Sequence, residues 1–157
     1  MNWTSKTYRL EQEQHIPQAR SEVFKFFSDA FNLQKLTPSF LNFKILLPKP
    51  IAIKEGTLID YRIQLFGIPM KWRTRIERFE VDQVFVDTQI RGPYRFWHHT
   101  HTFEDQGDGT IMRDVVVYRL PFGVLGTIAH ALFVRRTLET IFRFRYNALA
   151  QLMEGPA

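Results

Sequence analysis

The sequence predicts an α+β fold in which a curved antiparallel β-sheet wraps around one long C-terminal helix. Three observations support this prediction. Six segments between residues 42 and 120 have the composition of strands and are separated by short turns. A strand and a short helical region precede them, and a long helical segment follows them. Short links favour antiparallel pairing, and a sheet curved around a helix leaves an elongated cavity between the two.

Seven segments are predicted to be strands. The first covers residues 5–15 and places Tyr8 and Leu10 on one face. The others are predicted at residues 42–48, 57–66, 69–80, 83–91, 95–105 and 109–120. Because no repeat, linker or low-complexity tract interrupts the pattern, a single domain covering residues 1–157 is expected.

A short helical pair is predicted after the first strand. Pro17 lies at a favourable helix start, apolar residues follow at helical spacing, and the break at Thr37–Pro38 ends the region. The terminal helix is predicted to run from about Gly123 to about Met153. Its apolar stripe shifts near Arg135–Arg136, which predicts a bend or a helix in two segments.

The terminal helix begins with an apolar face, and the residues of the helix as a whole fit two interpretations. That face consists of Leu125, Ile128, Ala129 and Leu132. Together with the arginines of the same helix, it is typical of amphipathic helices that contact a membrane surface. Packing against the sheet explains the same residues and is the expected arrangement.

Composition narrows the function classes. The chain has no cysteine, which excludes disulfides, thiolate nucleophiles and iron–sulfur clusters. The net charge is +5, but the basic residues are scattered and no base-stacking motif accompanies them, so nucleic-acid binding is not expected. No segment approaches the ~20 apolar residues of a transmembrane span, and no signal peptide is recognisable. A cytoplasmic protein is the expectation.

The segment "RFWHHTHTF" (95–103) holds three of the five histidines. Because strand residues alternate between faces, His99 and His101 point one way and His98 points the other. Trp97 and Phe103 share the face of His99 and His101 and are bulky. This face is therefore predicted to line the interior.

The next turn extends the same face to a second strand. "QGDGT" can close a two-residue hairpin centred on residues 107–108 or 108–109, and the first register pairs His101 with Asp114. The second register shifts the pairing by two residues. Both therefore place Asp114 and Tyr118 on the face of the histidines.

The preceding turn leaves two alternatives open. A three-residue loop at "GPY" would direct Asp87 and Gln89 inward. The alternation of strand faces that directs Asp87 inward also directs residues of two further strands inward, namely Tyr61, Ile63, Trp72 and Thr74. Hydrophobicity argues against this parity, because Val84, Val86 and Ile90 would then face outward. Such an outward strip, with Val115 and Val117, would be a candidate homodimer surface.

Several of these segments together resemble a known group of proteins. They are Trp72, "FVDTQIRGPYRFWHHTHTF" (85–103), "GTIMRDVVVYRLPFG" (109–123) and "ETIFRFR" (139–145). The pattern resembles the bacterial branch of the START-like (SRPBCC) superfamily, which includes the polyketide cyclase/dehydrase and lipid-transport families. The resemblance implies a helix-grip fold with a hydrophobic cavity. Members bind lipids, sterols, polyketides or hormones, and some catalyse cyclisation or dehydration.

The function expected from residues and resemblance together is binding of a hydrophobic small molecule in a cavity of about 300–1,000 Å³. Phe142 and Arg145 of the terminal helix are expected to join the strand residues, with Arg145 facing either a ligand head group or the cavity rim. The alternative is a cyclase or dehydratase using His99, His101, Asp114 and Tyr118.

A metal site is a less favoured interpretation of the same residues. It would use His99 and His101 with Asp114 or Asp87 as the third ligand. The spacing is a weak signal and no cysteine supports it. We therefore expect neither metal nor cofactor.

Overall fold

The computed structural model of the chain describes residues 6–46 and 53–153. In this part of the chain the strands are β1 (Thr7–Ile16), β2 (Lys44–Ile45), β3 (Leu58–Leu65), β4 (Ile68–Glu80), β5 (Val84–Arg91), β6 (Phe96–Gln106) and β7 (Gly109–Arg119). They form one antiparallel sheet in the order β1-β7-β6-β5-β4-β3-β2. Successive strands from β3 to β7 are neighbours because their turns are short.

The helices lie at two places along the chain. After β1 come α1 (Arg20–Phe27) and two short 3₁₀ helices (Ala30–Leu36 and Ser39–Leu41). After β7 come α2 (Gly123–Ala129), a π-helical segment (His130–Val134) and α3 (Arg135–Leu152). The α+β architecture of a curved sheet around a long C-terminal helix is confirmed. No helix in the described ranges is long and apolar enough to cross a membrane.

Most element boundaries agree with the sequence predictions to within one or two residues. The exceptions are local. The first helix begins at Arg20 rather than Pro17, because Gln18 turns back to donate to the carbonyl of Ile16. Of the strand predicted at 42–48, only Lys44–Ile45 forms, and residues 47–48 lie outside the described ranges, as does residue 5.

The predicted change in the terminal helix occurs at the π-helical segment. This segment ends at Val134, directly before Arg135. A π turn inserts one extra residue into the helical ladder and rotates the following face. As a result, the apolar residues of α3 face inward, and Leu138, Phe142 and Leu149 are buried.

The first apolar face of the terminal helix does not pack against the sheet, whereas the apolar residues of α3 do. Leu125, Ile128 and Leu132 are 71%, 50% and 57% exposed, whereas Gly126 and His130 are buried. The reason is a close approach at Gly126, where an added Cβ would lie 2.2 Å from the carbonyl oxygen of Pro121. Only glycine allows this contact, and it turns the opposite side of α2 outward.

The outer strip on β5 also differs from the expectation. Asp87 pairs with His99 and faces inward, so Val84 and Val86 lie on the outer face of the sheet. Each of these two valines is nevertheless only 6% exposed, while Ile90 is 44% exposed. Val84 and Val86 are therefore covered by their own chain while Ile90 is not, and the homodimer surface stays a prediction.

Candidate functional site

A cavity of about 180 Å³ lies between the sheet and α3. Its volume is below the expected range, because large rings occupy much of the space between the two layers. Ten of the predicted ligand-binding residues line it: Tyr61, Ile63, Trp72, Thr74, Asp87, Trp97, His99, His101, Phe142 and Arg145. Their contact with a ligand stays a prediction.

Four predicted residues do not line the cavity, and one of them, Asp114, instead contacts the wall residues His99 and His101. Phe103 is packed among Phe24 and Phe27 of α1. Gln89 closes the β5–β6 turn, because its amide donates to the carbonyl of Tyr94 at 2.6 Å and accepts from the Tyr94 N–H at 3.0 Å. Tyr118 donates to or accepts from His130 Nε2 at 2.7 Å instead of joining the histidine pair.

The separation of Tyr118 from the histidine pair follows from strand geometry. Tyr118 lies four residues from Asp114 along β7, which corresponds to about 13 Å. Its hydroxyl therefore meets the π-helical segment instead. Burial raises the pKa of Tyr118 to about 12.

Sequence reasoning missed several residues of the cavity wall, most of them outside the sheet. They include Phe27, Ala30, Leu41, Phe43, Phe85, Tyr94, Leu138 and Ile141. Phe85 could have been found, since it shares the parity of Asp87. The cavity residues on the 3₁₀ helices could not have been found, because no periodic pattern in the sequence marks them.

The polar part of the cavity wall, Asp87, His99 and His101, forms a cluster with Asp114, which does not itself line the cavity. His99 Nε2 lies 2.8 Å from Asp114 Oδ1, and His101 Nε2 lies 2.7 Å from Asp87 Oδ2. His101 Nδ1 also lies 3.1 Å from Asp114 Oδ1. The two imidazole rings stack with their centroids 3.7 Å apart. Register creates the cluster, because Asp87 pairs with His99 and Asp114 pairs with His101.

Arg145 joins this cluster from α3. Its Nη2 donates to Asp114 Oδ1 at 3.2 Å, and the guanidinium lies 5.1 Å from the ring centroid of Phe27 and 5.9 Å from that of Phe142. Arg145 is 9% exposed, so it is a buried cation and not a residue at the cavity rim. Because Asp114 already holds it, the guanidinium is not free to bind a carboxylate through two parallel hydrogen bonds.

Burial and charge shift the pKa values of the two histidines in opposite directions. Burial, reinforced by the charge of His101, lowers the pKa of His99. Burial also opposes charging of His101, but hydrogen bonds to Asp114 and Asp87 outweigh it and raise the pKa of His101. A proton is therefore held more readily by His101 than by His99.

The two carboxyl groups are ionised in spite of their burial. The charge of Arg145 and the hydrogen bonds from the histidines hold the pKa of Asp114 well below its usual value, although burial alone would raise it. Burial opposes ionisation of Asp87 too, but the neighbouring histidines lower its pKa. With Arg145 and His101 cationic and two aspartates anionic, the buried cluster has no net charge.

Two buried donors at the cavity lack a hydrogen-bond partner among the described residues. They are Trp72 Nε1 and Arg145 Nε. Both residues line the cavity. An unpaired buried N–H costs about 1–3 kcal/mol, so a hydrogen-bond acceptor placed next to either donor would be favourable.

Three side chains of the cluster also have the geometry of a metal site. One ligand atom each from Asp87, His99 and His101 lies within 4.8 Å of the others. Metal binding would require His101 to lose its proton and would place a cation near Arg145. The electrostatics of the cluster therefore oppose a divalent ion, and the prediction of no metal is retained.

The fold and the cavity define a class of protein. A curved antiparallel sheet around a long helix, with an apolar cavity between them, is the helix-grip architecture of the START-like superfamily. The chain belongs to the family described as polyketide cyclase / dehydrase and lipid transport, whose model matches residues 16–143. No curated protein sequence matches the chain.

Solved structures share the fold at low sequence identity. Protein CV1439 from Chromobacterium violaceum is 15% identical with a TM-score of 0.73, over 94% of this chain and 98% of that one. Ginseng major latex-like protein 151 from Panax ginseng is 10% identical with a TM-score of 0.65, over 95% and 99% of the two chains. A norcoclaurine synthase point mutant from Thalictrum is 15% identical with a TM-score of 0.66, over 96% of each chain. At these identities the likeness establishes the fold.

Proposed function

We propose that the protein binds a small, largely apolar molecule that carries an uncharged hydrogen-bond acceptor such as a carbonyl group. The observation that carries this proposal is the pair of unpaired donors, Trp72 Nε1 and Arg145 Nε, beside an apolar cavity. An uncharged acceptor fits because the buried cluster is already neutral. A carboxylate would add an unbalanced charge, which costs several kcal/mol on burial.

The cavity size limits the ligand. An engineered apolar cavity of about 150 Å³ holds benzene, so 180 Å³ suits a body of one or two small rings. The aromatic wall formed by Tyr61, Trp72, Tyr94 and Trp97 favours a flat, ring-containing ligand.

A matched pair of probes tests the polar part of this proposal. Acetophenone and ethylbenzene have similar shapes, but only acetophenone has a carbonyl oxygen. We expect acetophenone to bind about fivefold more tightly in a calorimetric or tryptophan-fluorescence titration, because one hydrogen bond contributes about 1 kcal/mol. The preference should disappear in Trp72→Phe if Trp72 Nε1 donates the bond. Equal affinities for both probes in the parent protein would refute the role of the unpaired donors.

A matched pair of variants tests whether binding uses the cavity. Ile59 lines the cavity, whereas its neighbour Leu58 is 44% exposed. Ile59→Phe should fill the space and abolish binding of acetophenone, while Leu58→Phe on the same strand should leave binding unchanged. Loss of binding in both variants, or in neither, would contradict the proposed site. Mass spectrometry of an organic extract of the purified protein would then identify any natural ligand.

A second candidate function, enzymatic enolisation within a cyclase or dehydratase reaction, is favoured by the state of His99. An ionised Asp114 can only accept, so neutral His99 carries its proton on Nε2 and presents an unprotonated Nδ1. Such a nitrogen can take a proton from a carbon next to a carbonyl group, whose oxygen the unpaired donors would stabilise. The proton leaves the carbon, its electron pair forms the enolate, and the imidazolium returns the proton.

Proton exchange separates this enzyme from a simple binder. In D₂O, a general base would exchange the methyl protons of bound acetophenone for deuterium, as observed by proton NMR. His99→Gln should then reduce exchange by ~10²-fold while affinity changes little. Exchange no faster than in buffer, with acetophenone bound, would exclude this proton transfer from acetophenone and leave the binding proposal intact.

A further inference from the structure

A large apolar surface lies outside the cavity, on α2, the π-helical segment and the β3–β4 turn. Its members are all at least half exposed: Phe66, Ile68, Phe122, Val124, Leu125, Ile128, Leu132 and Phe133. The ring centroids of Phe66 and Phe133 are 6.0 Å apart, which joins the turn to the helix. We call these eight residues the apolar face. Contiguous exposure of so many large side chains marks an interaction site.

Two phenylalanines of the apolar face occupy an unfavourable backbone conformation. Phe66 has φ 51° and is 68% exposed, and Phe122 has φ 70° and is 80% exposed. Each precedes a glycine that also has positive φ, Gly67 at 78° and Gly123 at 53°. Asn or Gly would suit such turn positions better, since a left-handed conformation is costly for a bulky residue. The exposed rings of Phe66 and Phe122 therefore lie at turns where neither the stability of the fold nor solubility favours a phenylalanine.

The exposed charges nearest to the apolar face along the chain are basic. Neither residues 61–76 nor residues 115–138 contain an aspartate or glutamate. The same stretches carry exposed basic residues, among them Arg62, Lys71, Arg135 and Arg136, of which Arg135 is paired with Glu139 at 3.1 Å. Apolar residues with a basic surround match the boundary of a membrane with anionic lipids. Two copies of this surface would bring like charges together, which disfavours a second copy of the chain as the occupant.

The apolar face adjoins the cavity. Leu65, which precedes Phe66, and Leu138, which follows the π-helical segment, both line the cavity wall. A partner on the apolar face therefore lies beside one edge of the cavity.

We propose that the apolar face docks the protein on the surface of a bilayer that contains anionic lipids, with Phe66 and Phe122 inserted among the headgroups. The proposal goes beyond small-molecule binding and does not depend on it. Burial of phenylalanine rings supplies the apolar part of the affinity, and the basic surround supplies the electrostatic part. Docking is peripheral, since it uses side chains and one helix face.

Vesicle sedimentation tests the proposal with the whole chain. We expect binding to phosphatidylcholine vesicles that contain roughly a third phosphatidylserine, and much weaker binding to phosphatidylcholine alone or at high salt. The double variant Phe66→Asn/Phe122→Asn should bind at least about tenfold more weakly, because burial of one phenylalanine already accounts for a factor of that size. Asparagine tolerates left-handed φ, so the fold should be retained or stabilised. Arg136→Gln should weaken binding about fivefold.

A matched control lies at the opposite end of β4. Val81 is 66% exposed in the β4–β5 turn, so Val81→Asn removes a similarly exposed apolar side chain away from the apolar face and should not change vesicle binding. Absence of binding to anionic vesicles would overturn the proposal. So would equal binding by the parent protein and the double variant. A dimer that dissociates in the double variant, without vesicle binding, would instead assign the apolar face to a second copy of the chain.

Discussion

Arg145→Met is the most direct test of the electrostatic balance in the buried cluster. The substitution keeps an unbranched side chain but removes the cation that lies 3.2 Å from Asp114. At that distance, and with an effective dielectric constant of about 20, the lost attraction is about 5 kcal/mol. Removing the buried guanidinium also removes the cost of desolvating it, which offsets part of the lost attraction. We therefore expect the free energy of unfolding to fall by about 3 kcal/mol.

Urea denaturation at neutral pH, followed by tryptophan fluorescence, measures this loss. The double variant Arg145→Met/Asp114→Asn restores a net charge of zero and should be less destabilised than the sum of the single variants, by ~1–3 kcal/mol. Arg143→Met provides the control, because Arg143 is exposed on the same helix and should change stability by less than about 0.5 kcal/mol. Additive single effects, or an Arg145→Met loss equal to that of Arg143→Met, would refute the charge balance.

Three further outcomes follow from the same structure. Because the pKa of His101 is raised in the folded protein, its protonation stabilises the fold fully below the unfolded pKa of 6.5, and this contribution is lost as pH rises through the folded pKa. The free energy of unfolding in urea should therefore fall with pH over this range, and the fall should disappear in His101→Gln. The same pH dependence in His101→Gln would count against the assignment. Gly126→Ala should destabilise by about 1–3 kcal/mol in the same assay because its Cβ would lie 2.2 Å from the Pro121 carbonyl oxygen, whereas helix propensity alone would stabilise it. Elemental analysis of untagged protein should show no stoichiometric metal, and near-stoichiometric zinc that disappears in His99→Ala would establish the metal site with Asp87 instead.

Strand parity made the centre of the site predictable. Alternation placed His99 and His101 on one face, and a short even-numbered hairpin carried that parity to Asp114. The same rule directed Asp87 inward against the hydrophobic pattern of its own strand, and the structure confirms that it does. Parity succeeds because it depends only on the number of residues between paired positions.

The sequence by itself determined the order of elements, the inward face of β6 and β7 and the meeting of two histidines with Asp114, whereas it left the direction of Asp87 open. The tertiary structure alone decided which face of α2 meets solvent, through the contact at Gly126, and which partner each polar atom receives. Tyr118 illustrates the difference, because its strand face was predictable while its bond to His130 depends on where the π-helical segment returns to the sheet. Strand faces follow from local alternation, whereas helix orientation and hydrogen-bond partners follow from distances between segments remote in the chain.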